Sequence, residues 1–299
     1  MSEIRKSPSI ADLLAAAEAT TKKKTFDNDR IETWSCSMDK LGNGQATIRF
    51  LPAPKGEALP WAKIQSFGFK NEGTGRWYIE NCLLTIGQND PMVEFNNGLY
   101  NTKDPEKIEQ AKKQKRKTNY YCNVLIVNDP AKPELNGSVV MFRFGQKIFD
   151  KLMAAMKPNN EGLDPDDWTD PINPFGIDDG ANFTVKIKKV AGYANFDDSS
   201  FGKVKPLAKT DAEVESILSQ AKSLTALTAP DKFKSYEALT KRIAFVLGLD
   251  GGDTNRAPAQ PTRTAAAVAI ADEIEAESKL SVSDDDSDSD YFRSLASDD

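Results

Sequence analysis

The chain has 299 residues, 39% of them hydrophobic, and a formal net charge of −6 at pH 7. It contains no histidine and only three cysteines, Cys36, Cys82 and Cys122, which excludes Ser-His-Asp and Cys-His catalysis, zinc sites of the His-containing or four-cysteine kind, and a disulfide framework. No apolar run approaches the ~20 residues of a membrane helix, and the start of the chain lacks the apolar stretch of a signal peptide, so a reducing compartment and no membrane are expected.

Residues 1–24 read as a small basic arm. Ser7 suits a helix N-cap, Pro8 the first helical position, and Ile10, Leu13 and Leu14 share a face. Arg5 and Lys6 precede this segment, and Lys22, Lys23 and Lys24 follow it. Such a helix is marginal alone, so it is either a frayed surface element or an arm that docks on a neighbour.

From about residue 30 to 205 the pattern is strand-rich. Strands are expected at 45–51 after Gly42-Asn43-Gly44, at 76–84 after Gly73-Thr74-Gly75, at 120–127, and at 138–144 after Asn136-Gly137. In 183–190, Phe183, Val185 and Ile187 alternate with Thr184, Lys186 and Lys188, the period of a half-buried strand. Apolar stripes predict helices at 146–156, 210–224 and 235–247, the last ending at Gly248. Short strands with glycine-rich turns suggest a small barrel or sandwich.

Composition changes after residue 251. Residues 252–264 read as a polar linker, 265–280 as a transient helix, and 281–290 as Ser-Asp low complexity that cannot offset its ordering entropy. Eleven acids against Lys279 and Arg293 give 272–299 a net of −9, which leaves +3 for residues 1–271. The charge is segregated: a mildly basic body carries an acidic tail.

The strongest local feature is the run Lys112, Lys113, Lys115, Arg116 and Lys117, which leads into Tyr120 and Tyr121. Cations neutralise phosphates, and aromatic faces stack on unpaired bases without needing a particular sequence. Alone, such a run is more often a solvated loop. The same interleaving recurs in Arg76-Trp77-Tyr78, in Phe142-Arg143-Phe144 with Lys147, and in Lys186, Lys188 and Lys189 with Tyr193 and Phe196; Arg49-Phe50 repeats it weakly. On a strand one member of each pair faces the core, so about half of these aromatics are expected to be structural. The carboxylates Asp164, Asp166, Asp167, Asp178 and Asp179 offer a second reading as a metal-assisted nuclease. Pro165, Pro171 and Pro174 make that region a loop, and no nucleophile accompanies it. No phosphate-cradling glycine loop with its lysine is present.

The segments 42–52 (Gly-Asn-Gly-Gln-Ala-Thr-Ile-Arg-Phe-Leu-Pro), Trp77-Tyr78-Ile79-Glu80, Leu99-Tyr100-Asn101-Thr102 and Lys115-Arg116-Lys117-Thr118 fall in a familiar order. Phe142-Arg143-Phe144-Gly145, Gly180-Ala181-Asn182-Phe183 and Asp231-Lys232-Phe233-Lys234-Ser235 continue it. With these motifs the chain resembles the T-even-like bacteriophage helix-destabilising single-stranded DNA-binding proteins, over nearly its whole length.

The resemblance implies an α+β, mainly β fold: an OB-fold core (a five-stranded Greek-key barrel) with a small inserted subdomain and peripheral helices. It divides the chain into an arm at 1–24 for cooperative self-association, a DNA-binding core at 25–250 with the insert at about 61–112, and a linker with a disordered acidic tail at 251–299. Arg5, Lys6 and Ser7 partly match the arm's self-association motif. The DNA contacts implied by the resemblance together with the cation–aromatic pattern are Arg49, Trp77, Tyr78, Tyr100, Lys115, Arg116, Lys117, Tyr120, Phe142, Arg143, Lys147, Lys186, Lys188, Tyr193 and Phe196. Phe142 and Phe196 stand where the family has tyrosines.

Relatives of this kind hold zinc with one histidine and three cysteines. Here Phe67 stands in the histidine position, Cys82 remains, and residues near Asp90 and Val93 replace the other two cysteines. One ligand cannot make a tetrahedral site, so no zinc is expected, and Phe67, Phe69, Met92 and Phe95 are expected to pack in its place. The implied activity is non-enzymatic: cooperative, sequence-tolerant coating of single-stranded DNA in viral replication, recombination and repair. The implied partners, reached through the tail, are the viral DNA polymerase, helicase loader, primase and recombination proteins, in the host bacterial cytoplasm. An RNA-binding translational regulator is the alternative.

Overall fold

A computed structural model describes residues 33–249 except residue 191. The arm, the linker and the acidic tail lie outside the described residues, Arg5, Lys6 and Ser7 among them. Eight strands form the sheet: β1 (Gly44–Phe50), β2 (Ala62–Lys70), β3 (Trp77–Asn81), β4 (Lys117–Asn128), β5 (Val139–Phe144), β6 (Ala181–Val190), β7 (Tyr193–Asn195) and β8 (Ser200–Val204). Among the described residues five α-helices accompany them: α1 (Pro91–Asn101), α2 (Pro105–Lys113), α3 (Gln146–Met156), α4 (Asp211–Leu218) and α5 (Tyr236–Leu247). The class is α+β and mainly β. Every strand pairing is antiparallel, in the open order β3-β2-β4-β1-β6-β7, with β5 added to β4 and β8 to β6.

The main core follows from period-two burial. Ala46, Ile48 and Phe50 of β1, Tyr120, Cys122, Val124 and Ile126 of β4, and Phe183, Val185 and Ile187 of β6 are all buried in one cluster. Phe50 is its hub, with ring centroids 5.6–6.4 Å from those of Phe142, Phe144, Phe175, Phe183 and Phe201. Helix α3 adds Ile148 and Leu152.

A second cluster joins Phe67, Phe69, Tyr78, Cys82 and Met92 to Ile243 and Val246 of α5. Strand β2 serves both neighbours: Ala62–Ser66 pair with β4 and Ser66–Lys70 with β3. Its buried residues change phase there, from Ala62 and Ile64 to Phe67 and Phe69, and a one-residue change of phase exchanges the faces of a strand.

Several element ends differ from the sequence expectation for local reasons. The strand expected at 120–127 begins at Lys117, because Lys117 and Thr118 already pair with Ser66 and Gln65. The helix expected at 210–224 has a full capping box at Thr210 and Glu213 but stops at Leu218. Beyond it, buried Asn123 donates to Lys222 O at 2.8 Å and accepts from Lys222 N at 2.9 Å, which fixes a non-helical path. α3 and α5 lie where the stripes placed them, α5 capped by Ser235 and ended by left-handed Gly248.

Candidate nucleic-acid interface

The cation run is not a single loop. Lys112 and Lys113 close α2, where the helix dipole favours positive charge, and they face Glu109 at 3.9 Å and Glu72 at 3.2 Å. Lys115 and Arg116 form the link, and Lys117 opens β4. Tyr120 follows three residues on, about 10 Å along the strand.

Tyr120 sits in a cross-strand row with Lys63 of β2 and Phe144 of β5. Its ring lies on Phe149 of α3, with centroids 3.9 Å apart and planes 6° apart. The hydroxyl of Tyr120 donates to Gln146 Oε1 at 3.0 Å. Trp61 meets Phe149 edge-on at 5.5 Å, and both are only partly buried. The result is an aromatic step: Tyr120 is its floor, and Trp61 and Phe149 form its accessible edge. Lys147 and Lys151, one turn apart on α3, project from the side of the helix away from Phe149, toward the turn after β7.

Lys147 also links this step to the β6–β8 side. Its Nζ lies 3.7 Å from Asp197, and Lys188 of β6 pairs with Asp198. Phe196 packs partly buried on the main core, and Tyr193 is partly exposed at the β6–β7 hairpin. Tyr120, Lys147, Lys186, Lys188 and Phe196 are therefore joined through α3 and the 195–199 turn. Arg143 lies across from Tyr121 on β5, in the row next to Tyr120.

Other expected contact residues lie elsewhere. Trp77 belongs to the region around α5, where its carbonyl accepts from Arg242 at 2.9 Å. Tyr100 is partly exposed near the end of α1. Four residues named as contacts are buried, Tyr120 among them at 4% exposure beneath Phe149. Tyr78 is 1% exposed, its ring stacks on Phe69 at 5.4 Å, and burial raises its phenol well above the ordinary range. Phe142, at 3%, packs against Trp34 and Phe50.

Arg49, at 1% exposure, donates to Gly176 O at 2.7 Å, and burial lowers its pKa while Asp179 opposes the shift. Gly180 admits this guanidinium, since a Cβ there would sit 2.4 Å from Arg49 Nη2. Alternation located these strands but left the inward face unassigned: Tyr78 and Phe142 face inward, while Arg49, on the side of β1 opposite Ile48 and Phe50, is covered by the 176–180 loop.

Trp61, Lys63, Phe149 and Lys151 were not identified as contacts from sequence. The available signal was Pro60-Trp61 opening an apolar alternation, and Lys147 and Lys151 four residues apart on one side of the helix that carries Phe149.

Neither metal reading fits. Asp164 accepts from Asp166 N and caps its own exposed turn. At the positions where the resemblance places zinc ligands, Phe67 is 2% exposed and Cys82 fully buried. Both Asp90 oxygens are taken, by Leu83 N at 2.9 Å on one side and by Met92 N and Val93 N on the other. Among the described residues no group of three or more Cys, Asp or Glu stands together as a metal site.

A family model described as gp32 DNA binding protein like matches residues 42–247. The chain belongs to this gp32-like family. Within it, the single-stranded DNA-binding protein of Enterobacteria phage T4 is 38% identical over 250 residues, 81% of this chain and 79% of that protein. The protein of the same description from Enterobacteria phage T2 is 39% identical over 251 residues, with the same coverage. That of Enterobacteria phage RB70 is 40% identical over 121 residues, 39% of this chain. The matched gp32-like region spans all eight strands, so the aromatic step and its lysines lie inside it.

Proposed function

We propose that this chain binds single-stranded DNA without enzymatic turnover, cooperatively and with little sequence preference, as a coat in viral replication, recombination and repair. The observation that carries the reading is the partly exposed ring pair Trp61 and Phe149 over buried Tyr120, with Lys63 in the row of Tyr120 and Lys147 and Lys151 on another side of the same helix α3. Flat faces beside cations suit any unpaired base and its phosphate. The phage T4 and T2 relatives, single-stranded DNA-binding proteins, support the same ligand.

The finer parts of the reading follow from the resemblance. The strands around the main core form an OB-type fold. The arm at 1–24 contacts the neighbouring copy through Arg5, Lys6 and Ser7. The tail, with its net of −9, shields the cationic surface and recruits replication proteins in the host cytoplasm. Zinc is not needed, because Asp90 and the phenylalanines around it hold the second cluster.

Salt-titrated binding of the full chain to poly-dT tests the reading. Affinity should fall steeply with salt, since phosphate neutralisation releases counterions. Removal of residues 272–299 should tighten binding, and removal of 1–24 should abolish cooperativity while leaving single-site binding. No saturable binding to poly-dT at low salt would overturn the reading.

A further inference from the structure

The turn between β7 and β8 brings two carboxylates into the cationic side of the interface. Asp197 lies 3.7 Å from Lys147 Nζ, and Lys151 Nζ donates to the Asp197 carbonyl at 2.7 Å. Asp198 pairs with Lys188. Its pKa is held below the usual carboxylate value by the Lys188 hydrogen bond and charge, with Lys186 and Lys151 adding to the effect. Four lysines, from α3 and β6, thus share two acids from one turn.

The turn is fixed in place. Asn195 Nδ2 donates to Asp197 Oδ2 at 2.6 Å, and Asp197 N donates to Asn195 Oδ1 at 2.9 Å. The buried hydroxyl of Ser199 accepts from Lys186 N at 2.9 Å and donates to Lys186 O at 3.1 Å, which ties the turn to β6. The acids therefore stay beside the lysines whatever else the lysines contact.

We infer that Asp197 and Asp198 belong to the strand-binding site itself, as resident anions that DNA phosphates must displace from Lys147 and Lys188. The inference rests on the single-stranded DNA reading above. Both acids are substantially exposed, at 63% and 46%, and exposed ion pairs are weak. A phosphate can take over the lysines without first breaking a buried pair. Displacement has two consequences. The freed carboxylates stay in the turn and repel the strand, which weakens binding. Each also recovers a cation from solution, which subtracts from the counterions that the phosphates release, so the salt dependence is shallower than the number of contacts implies. A coat that must be removed again benefits from both.

The test measures labelled oligo-dT binding by the full chain across a salt series. The variants are Asp197→Asn with Asp198→Asn, Asp166→Asn with Asp167→Asn as an equal charge change in another loop, and Lys147→Gln with Lys188→Gln with and without the 197/198 pair. The 197/198 variant should bind about three- to tenfold tighter at low salt, with a steeper dependence on salt. The 166/167 variant should change affinity clearly less, and without Lys147 and Lys188 the 197/198 effect should shrink to the repulsion between carboxylates and strand alone. Equal tightening by both acid pairs, weaker binding by the 197/198 variant, or an effect undiminished by loss of the two lysines would each overturn the inference. If the wild-type chain binds and the 197/198 variant binds identically, the inference alone fails. If the wild-type chain does not bind oligo-dT, the reading beneath it fails too.

Discussion

The two buried clusters hold together by different means. The main core is a convergence of strands in which Phe50 touches five other phenylalanines. Its stabilisation is spread over many dispersion contacts and much buried apolar area. The second cluster is small and depends on a few specific ties. Asp90 alone satisfies three backbone N–H groups. Helix α5 is held by Arg76, whose guanidinium lies 4.0 Å over the Phe245 ring and donates to Phe245 O at 2.6 Å, and by Thr74 donating to Val246 O at 2.5 Å. Damage should therefore spread through the first region and stay local in the second.

Substitution at the two centres is the strongest way to break this comparison. Phe50→Ala should cost about 3–5 kcal/mol, the range for truncating a large core aromatic, and should lower the stability of the whole chain in denaturant melts. Phe67→Ala should fall at the low end of that range. Its hydrogen-exchange loss should be confined to 62–113 and 236–247, with β1, β4 and β6 still protected. Equal loss of protection in both regions would make them one cooperative unit.

Next in size is Asp90→Ala, which strands three N–H donors at a site 1% exposed. A cost of roughly 2–3 kcal/mol follows from unpaired buried donors. Asp90→Asn keeps one carbonyl oxygen and should recover part of it. A cost below that of an ordinary surface change would assign the loop's order to Phe67 and Met92 instead.

The same contrast explains what the amino-acid order reveals. β1, β5 and β6 were legible because one face packs on the main core and alternation repeats it. β2 was not, because its period breaks at Ser66, where it passes from one partner strand to the other. α1 and α2 are short and begin at Asp-Pro pairs, Asp90-Pro91 and Asp104-Pro105, with few buried positions to set a stripe. At the interface the cations were visible as a run, but their placement was not. Lys112 and Lys113 turn to Glu109 and Glu72, and the partly exposed aromatics Trp61 and Phe149 come from segments more than eighty residues apart. Tyr78 and Phe142 carry the right residue types and face inward, and Arg49 faces outward but lies beneath the 176–180 loop, distinctions that spacing alone does not make.

A smaller effect tests the polar hold on the main sheet. Burial alone would raise the Glu57 pKa, but hydrogen bonds from Ser223, Thr225 and Leu224 outweigh it and leave the carboxylate lowered. A depressed folded-state pKa contributes stability above the unfolded value of about 4.3 and loses it as pH falls through the folded value. Glu57→Gln should cost about 1 kcal/mol at neutral pH, because the site is partly open to solvent. The variant's deficit should shrink in acid melts as the wild-type carboxylate becomes protonated. A deficit constant from pH 7 to 3 would show that shape, not charge, holds the 223–225 turn.

The smallest expected effect bears on the second cluster most directly. If Asp90 and the phenylalanines do the work of a metal, chelator should leave the thermal midpoint unchanged, and purified protein should carry no stoichiometric zinc. Burial first and Asp90 second push the Cys82 thiol up to about 12, so little reactive thiolate forms at pH 8. An alkylating reagent at pH 8 should then leave Cys82 unmodified until the cluster opens, and Phe67→Ala should speed modification more than Phe50→Leu, a milder change in the other core. A chelator-induced drop in midpoint, with zinc released in proportion, would mean that the second cluster is metal-held and that Asp90 exchanges its three N–H donors for an ion.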